Sequence, residues 1–432
     1  MSQARGKIGL LDHMGGGNLG DDTTQTAVMQ SLRSRWPEAL IYGFSMNPVD
    51  TTLRHAIPAF PIRRETWWVP NVNPEDGSIL PGTTDQPHRR NIVLRQLRAL
   101  CRAVLKRPMV VAAELVFLFR SFRIVRTLDV FVINGGGQLL DSWGGPWDYP
   151  YTLFKWAWLA RLSGTKLYFV SVGAGPIKHS LSKFFIRHAL SLAAYVSFRD
   201  CDSKNLSREI GFHGEAGVFP DCVYALDVPS RDAGADDARN LPLVGLSPMA
   251  YCDPRRYWLR DQDAYDAFTA KLVRFGSWVS SDHGLTLFST DMWFDAETIE
   301  EVDTALRSEA GMDATHLLPH APILEIDTLL SCMSSMDYII TCRFHGVVFA
   351  HLMNIPVIAL SHHPKVATLM SDLGLSEYCL NIDTFDVELL IATFNRMVAN
   401  KTAIKARMAE KATLYRNELT NQFDQLFSPE VR

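Results

Sequence analysis

The chain is poor in the features that mark several common classes of protein. Its seven cysteines, at 101, 201, 222, 252, 332, 342 and 379, include no Cys-x-x-Cys pair. An odd, scattered set fits reduced thiols in a cytoplasm better than a disulfide framework or a zinc site, so no metal-ligand set is assigned, and neither motif spacing nor composition decides whether a divalent metal assists. Positive charge is not in excess: 43 Lys and Arg face 47 Asp and Glu, a formal net charge of −4. That excludes a general nucleic-acid binder. No uninterrupted apolar run approaches the ~20 residues of a membrane span. The opening Met1–His13 lacks the apolar core of a signal peptide, so a cytoplasmic location is expected. A Gly-x-Gly-x-x-Gly dinucleotide fingerprint followed by its acidic residue is missing as well.

What is present reads as a large globular chain. At 432 residues, 47% of them hydrophobic, it exceeds one ordinary core, and two domains are expected. Short β-branched apolar runs alternate with helical spacing throughout. Lys7–His13, Leu128–Asn134, Lys166–Val172 and Tyr195–Phe198 read as strands of the first half. Leu243–Leu246, Leu285–Ser289, Tyr338–Thr341 and Val357–Leu360 read as strands of the second. Helices are expected between them, among them 264–280, 298–306 and 347–353. This grammar predicts doubly wound α/β with parallel sheets and ligand-binding loops at the carboxyl edges. Domains are expected at 1–228 and 243–432, joined by a polar linker over 229–242. Residues 45–88 show little periodicity and read as an irregular excursion, with Trp67 and Trp68 able to stack on a sugar or to pin the loop.

Three loops draw attention. The first strand runs into Gly15-Gly16-Gly17-Asn18-Leu19-Gly20-Asp21-Asp22. Its glycines allow close backbone approach, and Asp21 can accept from, or deprotonate, a sugar hydroxyl; a plain glycine turn with an Asp cap is the competing reading. Asn134 is followed by Gly135, Gly136 and Gly137, again at a strand end. In the second half Arg343-Phe344-His345-Gly346 joins a strand to a helix. An Arg and a His at a helix amino end make an anion site with a group that titrates near neutrality. The same residues can equally pair with a carboxylate or cap the helix. His362 and His363 lack a third metal ligand at suitable spacing.

Residues 89–126 stand apart: nine Arg and one Lys against one acid, Glu114, interleaved with leucines. Such a basic amphipathic stretch suits an anionic membrane surface, or simply a pair of surface helices with solvated arginines.

Taken together these blocks resemble the polysaccharide pyruvyl transferases. The resemblance rests on Asn18-Leu19-Gly20-Asp21, Asn134-Gly135-Gly136-Gly137 with Asp141, and Ser197-Phe198-Arg199-Asp200 with Ser203. It continues in Thr341-Cys342-Arg343-Phe344-His345-Gly346 and in Pro356-Val357-Ile358 leading to Lys365. Thr341 departs from the more common Ser. The resemblance implies two Rossmann-like domains facing a cleft, as in glycosyltransferases of the B type (GT-B-like), with the acceptor on the first domain and the donor on the second. It implies transfer from phosphoenolpyruvate, as donor substrate with no further cofactor, to two hydroxyls of a sugar or oligosaccharide, free or lipid-linked. By motif position Arg343 and His345 are the donor-binding and acid/base pair, Arg199 is a second donor-binding Arg, and the backbone at Phe344 contributes. Asp21 is expected as an acceptor-side base. Asn18, Gly20, Gly135, Gly136 and Gly137 are expected to line substrate. Lys365 is a phosphate candidate, and Ser171 and Asp221 are weaker ones. The alternatives are a nucleotide-sugar glycosyltransferase of the same architecture and a non-catalytic sugar-binding partner of a membrane assembly.

Overall fold

The computed structural model of the protein describes residues 6–12, 17–64, 109, 111–142, 144–228, 241–257, 259–308, 317–318 and 323–427. The chain divides into two compact units, the first comprising 1–16 and 32–221, the second 17–31 and 222–432. The linker expected over 229–242 and the pair Trp67-Trp68 lie largely or wholly outside the described residues.

The first unit is built on β1 (Lys7–Leu11), β2 (Leu40–Ser45), β3 (Ala59–Pro61), β4 (Val130–Asn134), β5 (Lys166–Val172), β6 (Tyr195–Phe198) and β7 (Gly217–Val218). The sheet order is β3-β2-β1-β4-β5-β6-β7, and every pairing is parallel. Its helices are the end of α1 (Leu19–Arg35), α2 (Pro48–His55), α3 (111–125), α4 (Tyr149–Ser163), α5 (Ser180–Ser191) and α6 (Cys201–Glu209). Parallel strands need crossovers, and helices supply them. Strand β4 is buried along its whole length, as a strand covered on both faces must be. The core centres on Phe44, Phe131 and Trp156, with Phe44 edge-on to Phe131 at 4.9 Å and to Trp156 at 5.0 Å. The Trp156 indole donates to the Ile62 carbonyl at 3.0 Å, satisfying its one buried donor.

Residues 45–61 are regular rather than irregular, contrary to the sequence reading. Asn47 caps α2 by accepting from the Asp50 amide at 3.2 Å, Pro48 sits in the first turn, and Ala56 ends the helix at φ 52°. Strand β3 follows and pairs with β2. A helix of eight residues between caps is too short to register as periodicity, so only its cap chemistry announced it.

The second unit carries β8 (Leu243–Ser247), α7 (Gln262–Val279), β9 (Gly284–Leu287), α8 (Met292–Ser308), α9 (Ile326–Ser334), β10 (Tyr338–Thr341) and α10 (Phe344–Leu352). It continues with β11 (Val357–Ser361), α11 (Pro364–Asp372), β12 (Cys379–Asn381), α12 (Val387–Ala399) and α13 (Lys401–Phe427). Its all-parallel sheet runs β12-β11-β10-β8-β9. Helix α8 begins earlier than expected because the Asp291 carbonyl already accepts from the amides of Phe294 and Asp295.

In both sheets the order in which strands are added reverses at one place: between β1 and β4 in the first, between β8 and β10 in the second. Open α/β sheets bind ligands at such switch points, outside the carboxyl ends of the strands.

Candidate active site

The second switch point is flanked by Ser247 at the end of β8 and Thr341 at the end of β10, which face one another in register. The Ser247 hydroxyl is buried and has no hydrogen-bond partner among the described residues. Thr341 turns the chain: its hydroxyl accepts from the Arg343 amide at 3.1 Å. Arg343 is the N-cap residue of α10, and Phe344, His345 and Gly346 form its first turn. The amino-terminal amides of a helix, with its dipole, favour an anion at this edge.

Arg343 does not stand alone there. Its Nε donates to Asp295 Oδ2 at 2.8 Å and its Nη2 to Asp295 Oδ1 at 2.5 Å, a two-pronged pair. Its Nη1 lies 3.2 Å from Asp291 Oδ2. Asp295 is fully buried and also accepts from Ser289 Oγ at 2.6 Å and the Ala250 amide at 3.1 Å. Burial alone pulls the Arg343 pKa down; the carboxylates of Asp295 and Asp291 more than offset it, and the net shift is upward. Asp291 is pushed up to about 6, first by burial and then by the charges of Asp295 and Asp22, against the opposing pull of Arg343. One of its oxygens, Oδ1, is buried without a hydrogen bond among the described residues.

His345 is buried at the second position of α10, with Phe344 edge-on at 5.3 Å and Phe349 stacked at 6.1 Å. Gly20 of α1 lies against its ring. A Cβ on Gly20 would fall 2.1 Å from His345 Nδ1, so only glycine allows this approach. The start of α1 is pinned by Asn18 Oδ1, which accepts from the Gly20 amide at 2.9 Å, and by the Leu19 amide, which donates to the Thr290 carbonyl at 3.0 Å. Of the acidic pair that follows, Asp21 is half-buried and Asp22 buried. Lys365 reaches the same neighbourhood, its Nζ 5.7 Å from the centre of the Phe344 ring. His362 Nδ1 lies 3.1 Å from the Cys342 carbonyl, and its pKa is drawn down to about 3 by burial and by Lys365 and Arg343, so it is neutral at physiological pH.

The second unit therefore assembles Asn18, Gly20, Asp21, Arg343, Phe344, His345 and Lys365. The first unit holds Arg199 and the glycine run. Arg199, at the end of β6, is built like Arg343: its Nη1 donates to Asp221 at 3.2 Å and its Nε is 3.5 Å from Asp200. A Cβ on Gly173 would sit 2.5 Å from that Nε. Gly135 and Gly136 turn out of β4 at φ 49° and 58°, and Gly137 follows. Beneath them Asp12 is fully buried and accepts from Asn134 Nδ2 at 3.1 Å and Gln138 Nε2 at 2.6 Å. Ser171, at φ 49°, donates its amide to Ser197 Oγ at 2.8 Å. Asp141 accepts from the amides of Lys178 and His179 and from the His179 ring; despite burial, which works the other way, these bonds leave its pKa below the ordinary value.

Sequence reasoning missed Asp12, Gln138, Asp291 and Asp295. A signal for the last two existed: two acids four residues apart, straight after a strand, occupy one face of a helix start. Among the described residues no three His, Cys, Asp or Glu side chains gather as metal ligands.

Solved structures of similar shape include S. aureus MnaA with UDP, at TM-score 0.56 and 10% identity over 97% of this chain and 94% of that one. The UDP-GlcNAc 2-epimerase of Neisseria meningitidis bound to UDP-GlcNAc matches at TM-score 0.55 and 10% identity, over 97% and 98%. Spinosyn rhamnosyltransferase SpnG matches at TM-score 0.50 and 9% identity, over 98% and 100%. At such identities the likeness shows the fold alone: two Rossmann-like units of the GT-B type. Comparison with curated proteins gives no significant match. The family model for polysaccharide pyruvyl transferase matches residues 18–364, which takes in Arg199, Arg343, His345, Gly20 and Gly135–Gly137, and the chain belongs to that family.

Proposed function

We propose that the protein moves the enolpyruvyl group of phosphoenolpyruvate onto two hydroxyls of a sugar, in a polysaccharide or its lipid-linked precursor, forming a cyclic pyruvate ketal. The observation that carries this reading is the placing of Arg343 and His345 together at the second switch point, on the amino end of α10. Phosphoenolpyruvate presents a carboxylate and a phosphate, and a held guanidinium next to helix amides suits either. Asp295 and Asp291 engage three of the five N–H groups of Arg343 and so fix its plane. The N–H groups that these carboxylates do not engage are assigned to the donor.

The reaction balances as follows. His345 delivers a proton to the methylene carbon, which becomes the methyl group. One sugar oxygen bonds to the central carbon. The second then bonds there as the carbon–oxygen bond to phosphate breaks. One hydroxyl proton restores the acid and the other leaves with phosphate. Asp21, on the α1 turn that faces His345, is assigned to receive a hydroxyl proton. A positioned acid or base of this kind typically contributes about 10²–10⁴-fold. Arg199, Asn18, Gly20 and Gly135–Gly137 are assigned to substrate binding, and Lys365 to the phosphate.

The test is phosphate release from phosphoenolpyruvate with galactose-, glucose- and mannose-containing acceptors, for wild type, His345→Ala and Arg343→Ala. Acceptor-dependent release abolished by both substitutions is expected. If calorimetry detects no phosphoenolpyruvate binding but a uridine or guanosine diphosphate sugar binds, a nucleotide-sugar glycosyltransferase replaces this reading.

A further inference from the structure

Helices α3, α4 and α5 form one continuous layer of the first unit. Phe117 of α3 meets Trp156 of α4 edge-on at 6.4 Å, and Lys155 Nζ is 3.3 Å from Glu114. Phe154 of α4 lies 6.0 Å from Phe184 and 5.0 Å from Phe185 of α5. The inward faces join the core. The outward faces are unusual in two ways.

First, they present large apolar side chains: Leu115 is 61% exposed, Phe119 63%, Leu162 67%, with Trp158 and Phe184 also exposed. Second, they carry charge of one sign. Arg120, Arg123, Arg161 and Lys183 are exposed. Neither α4 nor α5 contains an acidic residue. In 111–125 the only acid is Glu114, and it is engaged with Lys155. A solvated face normally mixes both signs and avoids clustered apolar groups. Exposed aromatics and leucines among cations that no other acid on these helices offsets match the chemistry of an anionic bilayer surface, with apolar groups entering the headgroup boundary and cations meeting phosphates. Among the described residues no helix is long and apolar enough to cross a membrane.

We infer that the outer face of α3, α4 and α5 docks the protein on an anionic lipid bilayer. The charge complementarity favours such a surface over an uncharged partner. The inference stands independently of the transferred group.

The experiment is flotation of the full-length protein with vesicles of phosphatidylcholine alone, or mixed with phosphatidylglycerol, at low and high salt. Binding is expected on the mixed vesicles only, and it weakens as salt screens the cations. Arg120→Gln with Arg123→Gln is expected to lower partitioning about fivefold per residue, equivalent to ~1 kcal/mol for each basic side chain. Leu115→Ser with Phe119→Ser is expected to lower it at both salt levels. All four positions are exposed, and near-ultraviolet dichroism checks that the variants fold. Failure to float with the mixed vesicles, equal binding to both vesicles, or full binding by both double variants would each overturn the inference.

Discussion

Replacing Asp291 by Asn tests the burial of a carboxyl beside Arg343. Asp291 is buried beside Arg343, and its carboxyl is raised from an ordinary 3.8 to about 6 by burial and by Asp295 and Asp22. A carboxyl raised on folding binds its proton more tightly in the folded chain. Between those two values the folded state therefore holds more protons than the unfolded, and stability falls as pH rises. The contribution is complete below about pH 4 and gone above about pH 6. The shift from 3.8 to about 6 corresponds to about 3 kcal/mol. Asn cannot titrate. Whatever Asp291→Asn loses in its contact with Arg343, the stability difference between variant and wild type should move in the variant's favour by about 3 kcal/mol from pH 4 to pH 7. Titrating groups remote from Arg343, Asp295 and Asp22 are common to both proteins and cancel. Urea unfolding followed by tryptophan fluorescence at a series of pH values measures the difference directly. A difference that stays flat across that range would refute the burial argument.

Gly20→Ala should displace the His345 ring and lower acceptor-dependent phosphate release on the order of 10²-fold while the dichroism spectrum is retained, since a displacement of about an ångström suffices for such losses. Asp295→Ala leaves Arg343 buried with one weaker partner and should destabilise by about 3–5 kcal/mol, measured as a lower urea midpoint. His351 is fully buried, and burial and Lys411 lower its pKa to about 3. It stays neutral when folded, so its share of stability is present above the unfolded value near 6.5 and is lost as pH falls toward 3; His351→Leu should flatten that acid limb. If phosphoenolpyruvate binds at Arg343 as proposed, its charge raises the Asp291 pKa further, so binding near pH 6.5 should take up protons, seen as a buffer-dependent heat in calorimetry.

The two strand-end arginines share one physical logic. An arginine between two carboxylates is strongly held, and removing one partner leaves an uncompensated buried charge. For Arg343 the partners are Asp295 and Asp291, and for Arg199 they are Asp221 and Asp200. The carboxylates set the orientation of each guanidinium and offset its charge. Pairing with carboxylates and binding an anion were competing readings of Arg343 in the sequence. The structure shows the pairing.

Local chemistry was legible without coordinates. Strands β5, β6 and β10 span the residues that their apolar β-branched runs mark out. The turn Arg343–Gly346 was readable because a strand, a cap and a helix start are all encoded within a few residues. Short elements such as α2 and β3 were not, because neither completes enough of a period. Strand order could not be read either, since it depends on pairings such as β1 with β4 across an intervening 118 residues. The same holds for the site. Asp295 lies 48 positions before the arginine it holds, and Gly20 meets His345 from the far end of the chain. Sequence by itself determined the class of fold and the family, and it singled out the groups proposed to bind an anion and move a proton. Only the tertiary structure decided which carboxylates those groups face, because burial and the distances between charges exist only once remote segments are packed together.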